Sequence, residues 1–367
     1  MSFDVRVAHS VEEIGQAEWD RLGSDRPFAS YRWFRFGEAA LADDLPIYVT
    51  LRRAGEPIAR ATFWLKRQES LPTSLRIARA VVGGILRHRP LLACRSPLSG
   101  TSGLILPAAP LREAALEALV GVAQDLVREH RASFLLFDYL EPAQMDWAGW
   151  PVDYVRMPDT SPGTQLAISW SDFDGFLAQL NKKRRYNVRR DYRLVAESGI
   201  TIEAHPAVMD LDRAMELHGN VNGRYKNPTS PWMRRAMAHT DMVDAVWLAA
   251  KKEGRLVGCE LMLGDRGAWL VTGLGLDHDE RHVYFVLGYE DIRYAIEHGA
   301  HTLRWGAETY DVKTRLGFEP EGYNNLIFAS RWALLQSFGR WMANRSLYGG
   351  RQQRLGGSFP DGTAHFP

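Results

Sequence analysis

Apolar and polar positions divide the chain into two similar series of elements. Residues 47–66 (IYVTLRRAGEPIARATFWLK) place two apolar runs around a basic turn that contains Gly55, a pattern that predicts a β-hairpin. Residues 246–265 (VWLAAKKEGRLVGCELMLGD) repeat it position by position without a gap, with Gly254 in the turn. Downstream of each hairpin a helical pattern ends in Glu-His and passes through a short turn into a strand, over residues 126–140 and again over 295–308. Glu129 and His130 align with Glu297 and His298, and Leu135 with Leu303. The distance from hairpin to helix differs between the halves, so the pattern predicts a diverged duplication rather than a short-period solenoid.

Each half reads as strand, helix, hairpin, helix, strand. The first opens on VRVAH, followed by a helix capped by Ser10 with Glu13 completing a capping box, and later a helix over 111–129. The second opens on ITIEAH (200–205), with helices over 209–217 and 289–298 and the strand AWLVTGLGL between them. The fold class is therefore α/β (α+β) in two tandem units, each a mixed sheet flanked by helices. The Pro- and Asp-containing stretch 157–163 marks the junction, giving an N-terminal domain over 1–160, a C-terminal domain over 161–348, and a Gly-rich, polar, loosely ordered tail over 349–367. Residues 77–92 carry three arginines among apolar positions and read as a buried strand or helix with a lid loop.

Length and composition agree with this division. A chain of 367 residues exceeds one usual domain, and 46% hydrophobic content supplies cores for two. A net charge of +1 excludes an acidic disordered chain and a polycation that coats nucleic acid through bulk charge, so any phosphate recognition is local. Cys94 and Cys259 stand far apart and outside metal-ligand spacing, which argues against a disulfide scaffold or a structural zinc. The absence of a basic leader and of a long uninterrupted apolar run makes a cytoplasmic protein with no membrane span the expectation.

Four segments carry possible chemistry. The helix NKKRRYNVRRDYRLVAESG (181–199) concentrates positive charge and puts Arg185, Arg189 and Arg193 on one stripe, suited to a polyphosphate; it reads equally as a solvated helix with Tyr186, Val188, Tyr192 and Leu194 turned inward. A polar loop over 218–232 offers Arg224 and Tyr225 as acceptor contacts, or is a plain connector. The unit over 268–299 has a strand whose exposed backbone, 270–275, suits an extended donor, followed by a turn (ERHVYFVLGYED) that presents amide N–H groups to phosphate. In WGAETYDVKTRLGFEPE (305–321), Glu308 is placed to take a proton from an ammonium nucleophile, Tyr310 to protonate a leaving group, and Lys313 to orient a carbonyl or bind phosphate. There is no G-x-S-x-G elbow, H-E-x-x-H, Walker loop or dinucleotide fingerprint.

Taken together, LNKKRRYNVRRDYR, the hairpin KKEGRLVG and the ending YEDIRYAIEHG with GAETYDVKTRLGF resemble tandem-domain N-acyltransferases of the GNAT superfamily, including the Fem-type peptidoglycan aminoacyl transferases and their single-chain bacterial relatives. The resemblance covers most of residues 170–330 and, through the internal repeat, most of the first half. It implies two GNAT folds, each a mostly antiparallel sheet splayed at its centre, with the acceptor near the domain interface. It further implies direct attack of an amine on an activated carbonyl, with no metal and no tightly bound cofactor. The co-substrate is then acyl-CoA, acyl carrier protein or aminoacyl-tRNA, and the acceptor a small-molecule or peptidoglycan-precursor-like amine. The family's pyrophosphate loop falls on Arg281 to Gly288 and includes His282, where RHVYFVLG departs from its glycine pattern. Backbone N–H groups near Val271, Thr272 and Gly273 then polarise the carbonyl, Glu308 removes the proton, and Tyr310 or Tyr225 assists departure. The arginine stripe and Lys313 occur only in the second copy, which places donor site and chemistry there and makes the first copy a wall of the acceptor cleft. Competing readings are a catalytically inactive GNAT-like scaffold holding a nucleotide-linked ligand, and an RNA-binding module using the stripe.

Overall fold

The computed structural model describes residues 2–69, 76–158, 162–225, 230–277, 279–280, 282–307, 309–341 and 343–344. The first half contains β1 (Asp4–Ala8), α1 (Val11–Ile14), α2 (Gln16–Trp19), α3 (Tyr31–Ala40), β2 (Leu45–Arg53) and β3 (Glu56–Lys66). It continues through α4 (Arg76–His88), β4 (Leu91–Cys94), β5 (Leu104–Ile105), α5 (Arg112–Glu129), β6 (Phe134–Leu140), α6 (Pro142–Met145) and β7 (Val155–Met157). The second half contains β8 (Thr164–Ala167), α7 (Phe173–Gln179), α8 (Lys182–Glu197), β9 (Ile200–His205), α9 (Leu211–Tyr225), α10 (Met233–Ala238), β10 (Asp244–Lys252) and β11 (Arg255–Asp265). β12 (Ala268–Leu276), α11 (Val283–Glu297), β13 (Thr302–Trp305), α12 (Tyr310–Arg315), β14 (Glu319–Pro320) and β15 (Asn325–Ala329) follow.

The repeat extends to strand register. Both hairpins close through two residues at positive φ, Ala54 and Gly55 in one and Glu253 and Gly254 in the other, the geometry that matches the right-handed twist of the flanking strands. Both then carry a register shift at equivalent places, Leu51/Arg52 and Ala250/Lys251. Each half also has one parallel pair, β4 with β6 and β12 with β13, reached over a helix.

Among the described residues the first sheet runs β1-β2-β3-β4-β6-β15-β7, with β5 on β3, and the second β14-β8-β13-β12-β11-β10-β9. β15 crosses back from the second half and inserts between β6 and β7, so the first sheet is completed by residues from beyond the sequence junction. One core lies between the second sheet and α7, α8 and α11, another beneath α5. A third is shared by the halves, with Trp19, Phe34 and Tyr48 from the first packed into one cluster with Met233, Met237 and Trp247 from the second. Asp265 accepts from the Ser30 hydroxyl (2.6 Å) across the same boundary. The shared core holds the halves in a fixed relation, and the clefts between them take their shape from it. No helix among the described residues is long and apolar enough to cross a membrane.

Three helices differ from expectation. The one read after β1 is broken into α1 and α2 at Gly15, which takes φ +85°, and Glu13 accepts from the His9 amide rather than completing a capping box with Ser10. α9 continues through residues read as a polar loop, because its polar side chains have partners on β12: His218 donates from Nδ1 to the Leu274 carbonyl (3.0 Å), and Asn222 donates to His218 Nε2 (3.0 Å). α11 starts at Val283, six residues earlier than read, since Val283, Val286 and Leu287 are buried in the core. On α8 Val188 is buried as expected, but Tyr186 is 58% exposed.

Candidate active site

The centre of the second sheet opens where its one parallel pair ends. β12 and β13 pair from Ala268↔Thr302 to Val271↔Trp305 and then separate, while β12 runs on to Leu276. On the opposite side β12 bulges: Leu261 faces Thr272 and Cys259 faces Gly275, leaving Gly273 and Leu274 against Glu260. Gly273 takes φ +63°, where glycine carries no steric cost, and a Cβ there would lie 2.9 Å from Met237 Cε.

Two cavities flank the opening. One of about 530 Å³ is lined by Thr272, Gly273, Leu274, Tyr284, Phe285 and Trp305, with Arg224, His282, Lys313, Glu260, Asp277 and Glu280 as its charged or titratable side chains. The other, about 570 Å³, lies between the halves. They share Val271, Thr272, Gly306 and Ala307, so the point where the strands part is the neck between them.

The residues expected from sequence distribute unevenly. Val271, Thr272, Gly273, Arg224, His282 and Lys313 all line the first cavity. Arg224 does so from the last turn of α9; Tyr225 is on the same turn, and its side chain lies outside the described part of the chain. Glu308 and Arg281 also lie outside the described residues. Gly288 belongs to packing rather than to a phosphate loop, for a Cβ there would sit 2.4 Å from Trp305 Cη2, and the indole rests on α11 at that point.

Lys313 is spent on the backbone. It is 3% exposed and donates from Nζ to the carbonyls of Trp305 (2.8 Å), Gly306 (2.7 Å) and Ala307 (3.0 Å). These are the carbonyls left over when β13 leaves the sheet, and an ammonium group has three donors to offer them. Lys313 thus shapes the neck, in place of the expected contact to a substrate carbonyl or phosphate. The Tyr310 hydroxyl donates to the Pro162 carbonyl (2.7 Å), tying α12 to the junction between the halves.

The arginine stripe stands apart from both cavities. Arg185 donates to the carbonyls of Ala178 and Leu180 at the end of α7, Arg189 and Arg193 are exposed, and none of the three is among the lining residues. The opposite face of α8 is tied to α11, where Tyr192 donates to Glu290 (2.7 Å) and Tyr289 to Asp191 (3.1 Å).

Two carboxylic acids were missed from sequence. Glu260 on β11 is 1% exposed and opens on the first cavity; Asp291 on α11 is fully buried behind it. Neither Asp291 oxygen, nor Glu260 Oε2, meets an N–H or O–H donor among the described residues. Burial pushes Glu260 up to about 8, against the lowering effects of Asp291 and Lys313. Burial, then the Glu260 charge, raises Asp291 well above the usual carboxylate range. Two buried acids this close do not both ionise, so burial keeps the pair protonated further up the pH range than ordinary carboxylates. The signal was an acid inside the apolar run VGCELML, where a charge is rarely buried without purpose.

The second cavity carries its own charges. Arg95 pairs with Glu69 (3.1 Å) and Asp138 (2.5 Å), and Arg304 with Glu321 (2.6 Å). Burial raises Asp138 despite the Arg95 guanidinium beside it.

A family model described as FemAB-like, peptidoglycan biosynthesis/recognition, matches residues 10–350. No curated protein matches the chain. Among solved structures, FemX superposes with a TM-score of 0.61 at 14% identity, covering 91% of this chain and 99% of FemX. A tandem GNAT protein from the clavulanic acid biosynthesis pathway gives 0.53 at 15% identity, covering 89% of this chain and 98% of that protein. The C-terminal domain of a putative lysylphosphatidylglycerol synthetase from Agrobacterium fabrum gives 0.50 at 10% identity, covering 92% and 98%. At these identities the likeness is one of fold: two mixed sheets flanked by helices, in the tandem GNAT-like arrangement.

Proposed function

This chain belongs to the FemAB-like family of peptidoglycan biosynthesis/recognition proteins, and from that premise we propose that it is an N-acyltransferase moving an acyl or aminoacyl group from an activated carrier to an amine. The observation that carries the reading is the neck: two cavities that meet where β12 loses its partner, at Val271, Thr272, Gly306 and Ala307. The donor, an acyl-CoA, acyl carrier protein or aminoacyl-tRNA, lies along the edge of β12 that β13 leaves after Val271. The acceptor enters from the cavity between the halves.

In the reaction the amine nitrogen attacks the donor carbonyl carbon at the neck. A C–N bond forms as the C–S or C–O bond to the carrier breaks, and the carrier leaves as thiolate or alkoxide and is protonated. Backbone N–H groups on the edge of β12 that β13 has left, from Thr272 onward, stabilise the oxyanion. The amine's proton passes to Glu260 in its ionised form, which its raised pKa confines to the alkaline side of neutrality, so transfer is expected to speed up as pH rises through about 8. Glu308 is the second carboxylate to test. A reaction centre enclosed by both halves keeps water from competing with the amine.

The test has two steps. A ligand bound by the native state raises apparent stability, so thermal shifts with acetyl-CoA, acylated carrier protein and aminoacyl-tRNA identify the donor, and transfer of a labelled acyl group from it to an amine is then followed. Glu260→Gln is expected to lower turnover at least about 100-fold. If no donor raises the melting temperature and no label reaches an amine, the reading is wrong.

A further inference from the structure

We propose that the acceptor is an amphiphilic amine whose alkyl tail fills the cavity between the halves and whose ammonium head sits at the neck. This rests on the transfer reading for the position of the head and goes beyond it in naming the substrate class.

Three neighbouring strands grade the cavity from apolar to polar in the same direction. On β6 the residues of one face run Phe134, Leu136, Asp138; on the parallel β4 they run Leu91, Ala93 and, just past its end, Arg95, with Leu91 opposite Phe134 and Ala93 opposite Leu136. On the antiparallel β15 the same direction reads Phe328, Leu326 and then Asn324, with Phe328 opposite Leu136. Val82 and Leu86 of α4 roof the apolar end and pack with Leu91 and Phe134. Space walled by hydrocarbon forfeits dispersion contacts unless something apolar occupies it, and a small hydrophilic amine would leave it unfilled.

The polar end favours a cation. Arg95 and Arg304 bring two guanidinium groups against the three carboxylates of Glu69, Asp138 and Glu321, leaving one negative charge over. The Lys66–Asp44 pair behind Glu69 (2.5 Å) does not change that balance. Asn324 Oδ1 meets no donor among the described residues and is an acceptor for an incoming N–H. This end reaches Thr272 and Gly306, so a head bound here lies beside the donor carbonyl while the tail runs back under α4.

Calorimetric titration of the full chain with butylamine, octylamine and dodecylamine, below micelle-forming concentrations, tests the proposal without requiring turnover. Affinity is expected to rise about fourfold per added methylene until the tail fills the cavity, at one ligand per chain. Dodecanoate, with the head charge reversed, binds more weakly than dodecylamine. Leu136→Trp, in the tail path, flattens the series while keeping the butylamine affinity. Affinity independent of chain length, or dodecanoate binding as tightly as dodecylamine, overturns the proposal; the series on the unaltered protein decides even if Leu136→Trp fails to fold. A donor thermal shift and transfer to short hydrophilic amines without any chain-length effect would sink this inference and leave the transferase reading intact. Chain-length-dependent binding with no transfer from any donor would do the reverse.

Discussion

Arg304 and Glu321 form a two-pronged ion pair, Nε to Oε1 at 2.6 Å and Nη2 to Oε2 at 3.0 Å, and the same guanidinium donates to the carbonyls of Ser99 and Gly100 in the first half. β13, which ends at the neck, is thereby fastened to the wall of the other cavity. Arg304, Glu321 and Ser99 are buried, and the pair sits in the wall of the cavity between the halves. The link joins the two halves at the point where the proposed substrates meet.

Removing one partner of this pair strands the other. Glu321→Leu leaves a buried guanidinium with its backbone contacts and no counter-charge, and is expected to cost about 3–5 kcal/mol in urea denaturation. The double variant Arg304→Met, Glu321→Leu is expected to recover much of that loss. A Glu321→Leu cost below about 1 kcal/mol would show the pair to be solvated.

Glu260 and Asp291 set a pH dependence of opposite sense to ordinary surface acids. In the unfolded chain Glu260 ionises near its usual 4.5, whereas in the folded protein it keeps its proton up to about 8. Its contribution to stability is therefore complete below pH 4.5 and lost as pH rises through about 8. Glu260→Gln removes the penalty, with an expected gain of about 1–3 kcal/mol at pH 9 and little change at pH 4. Melting temperatures of both proteins across that range check it; parallel curves would contradict the buried pair.

Much of this arrangement was legible in sequence, and the part that was not has identifiable causes. The hairpins were readable because a two-residue turn with Gly55 or Gly254 between alternating apolar runs is specified locally. The return of β15 to the first sheet was not, since alternation tells that Asn325–Ala329 is extended but not which edge it joins. α9 was cut short because HGNVNGRY is polar, and only β12 supplies the partners that let it stay helical. Lys313 lines the first cavity, but its three backbone bonds arise from the parting of β13, which sequence does not display. Glu260 was passed over because it sits in a run read for its apolar period.

The two cysteines are expected to be inert in the native protein. Cys94 and Cys259 have 0% exposure, and burial pushes both thiols above their ordinary range. Thiolate is the reactive form, so neither should react with a water-soluble disulfide reagent until the chain unfolds. Rapid titration of either thiol without denaturant would show that the strands carrying them open readily.

Gly273 and Gly254 separate the effect of backbone strain from that of the neck. Both take positive φ, +63° and +78°, so alanine at either place is expected to cost about 1–2 kcal/mol. A Cβ at Gly254 meets nothing within 4 Å, because the hairpin turn is open to solvent. At Gly273 it would press on Met237 and strain the bulge that sets Gly273 and Leu274 against Glu260. Once the donor is known, Gly254→Ala should lower the melting temperature and leave kcat/KM unchanged, whereas Gly273→Ala should lower both. Equal kinetics for the two variants would mean that the bulge shapes the strand without placing the donor, and the oxyanion role of the β12 backbone would have to be given up.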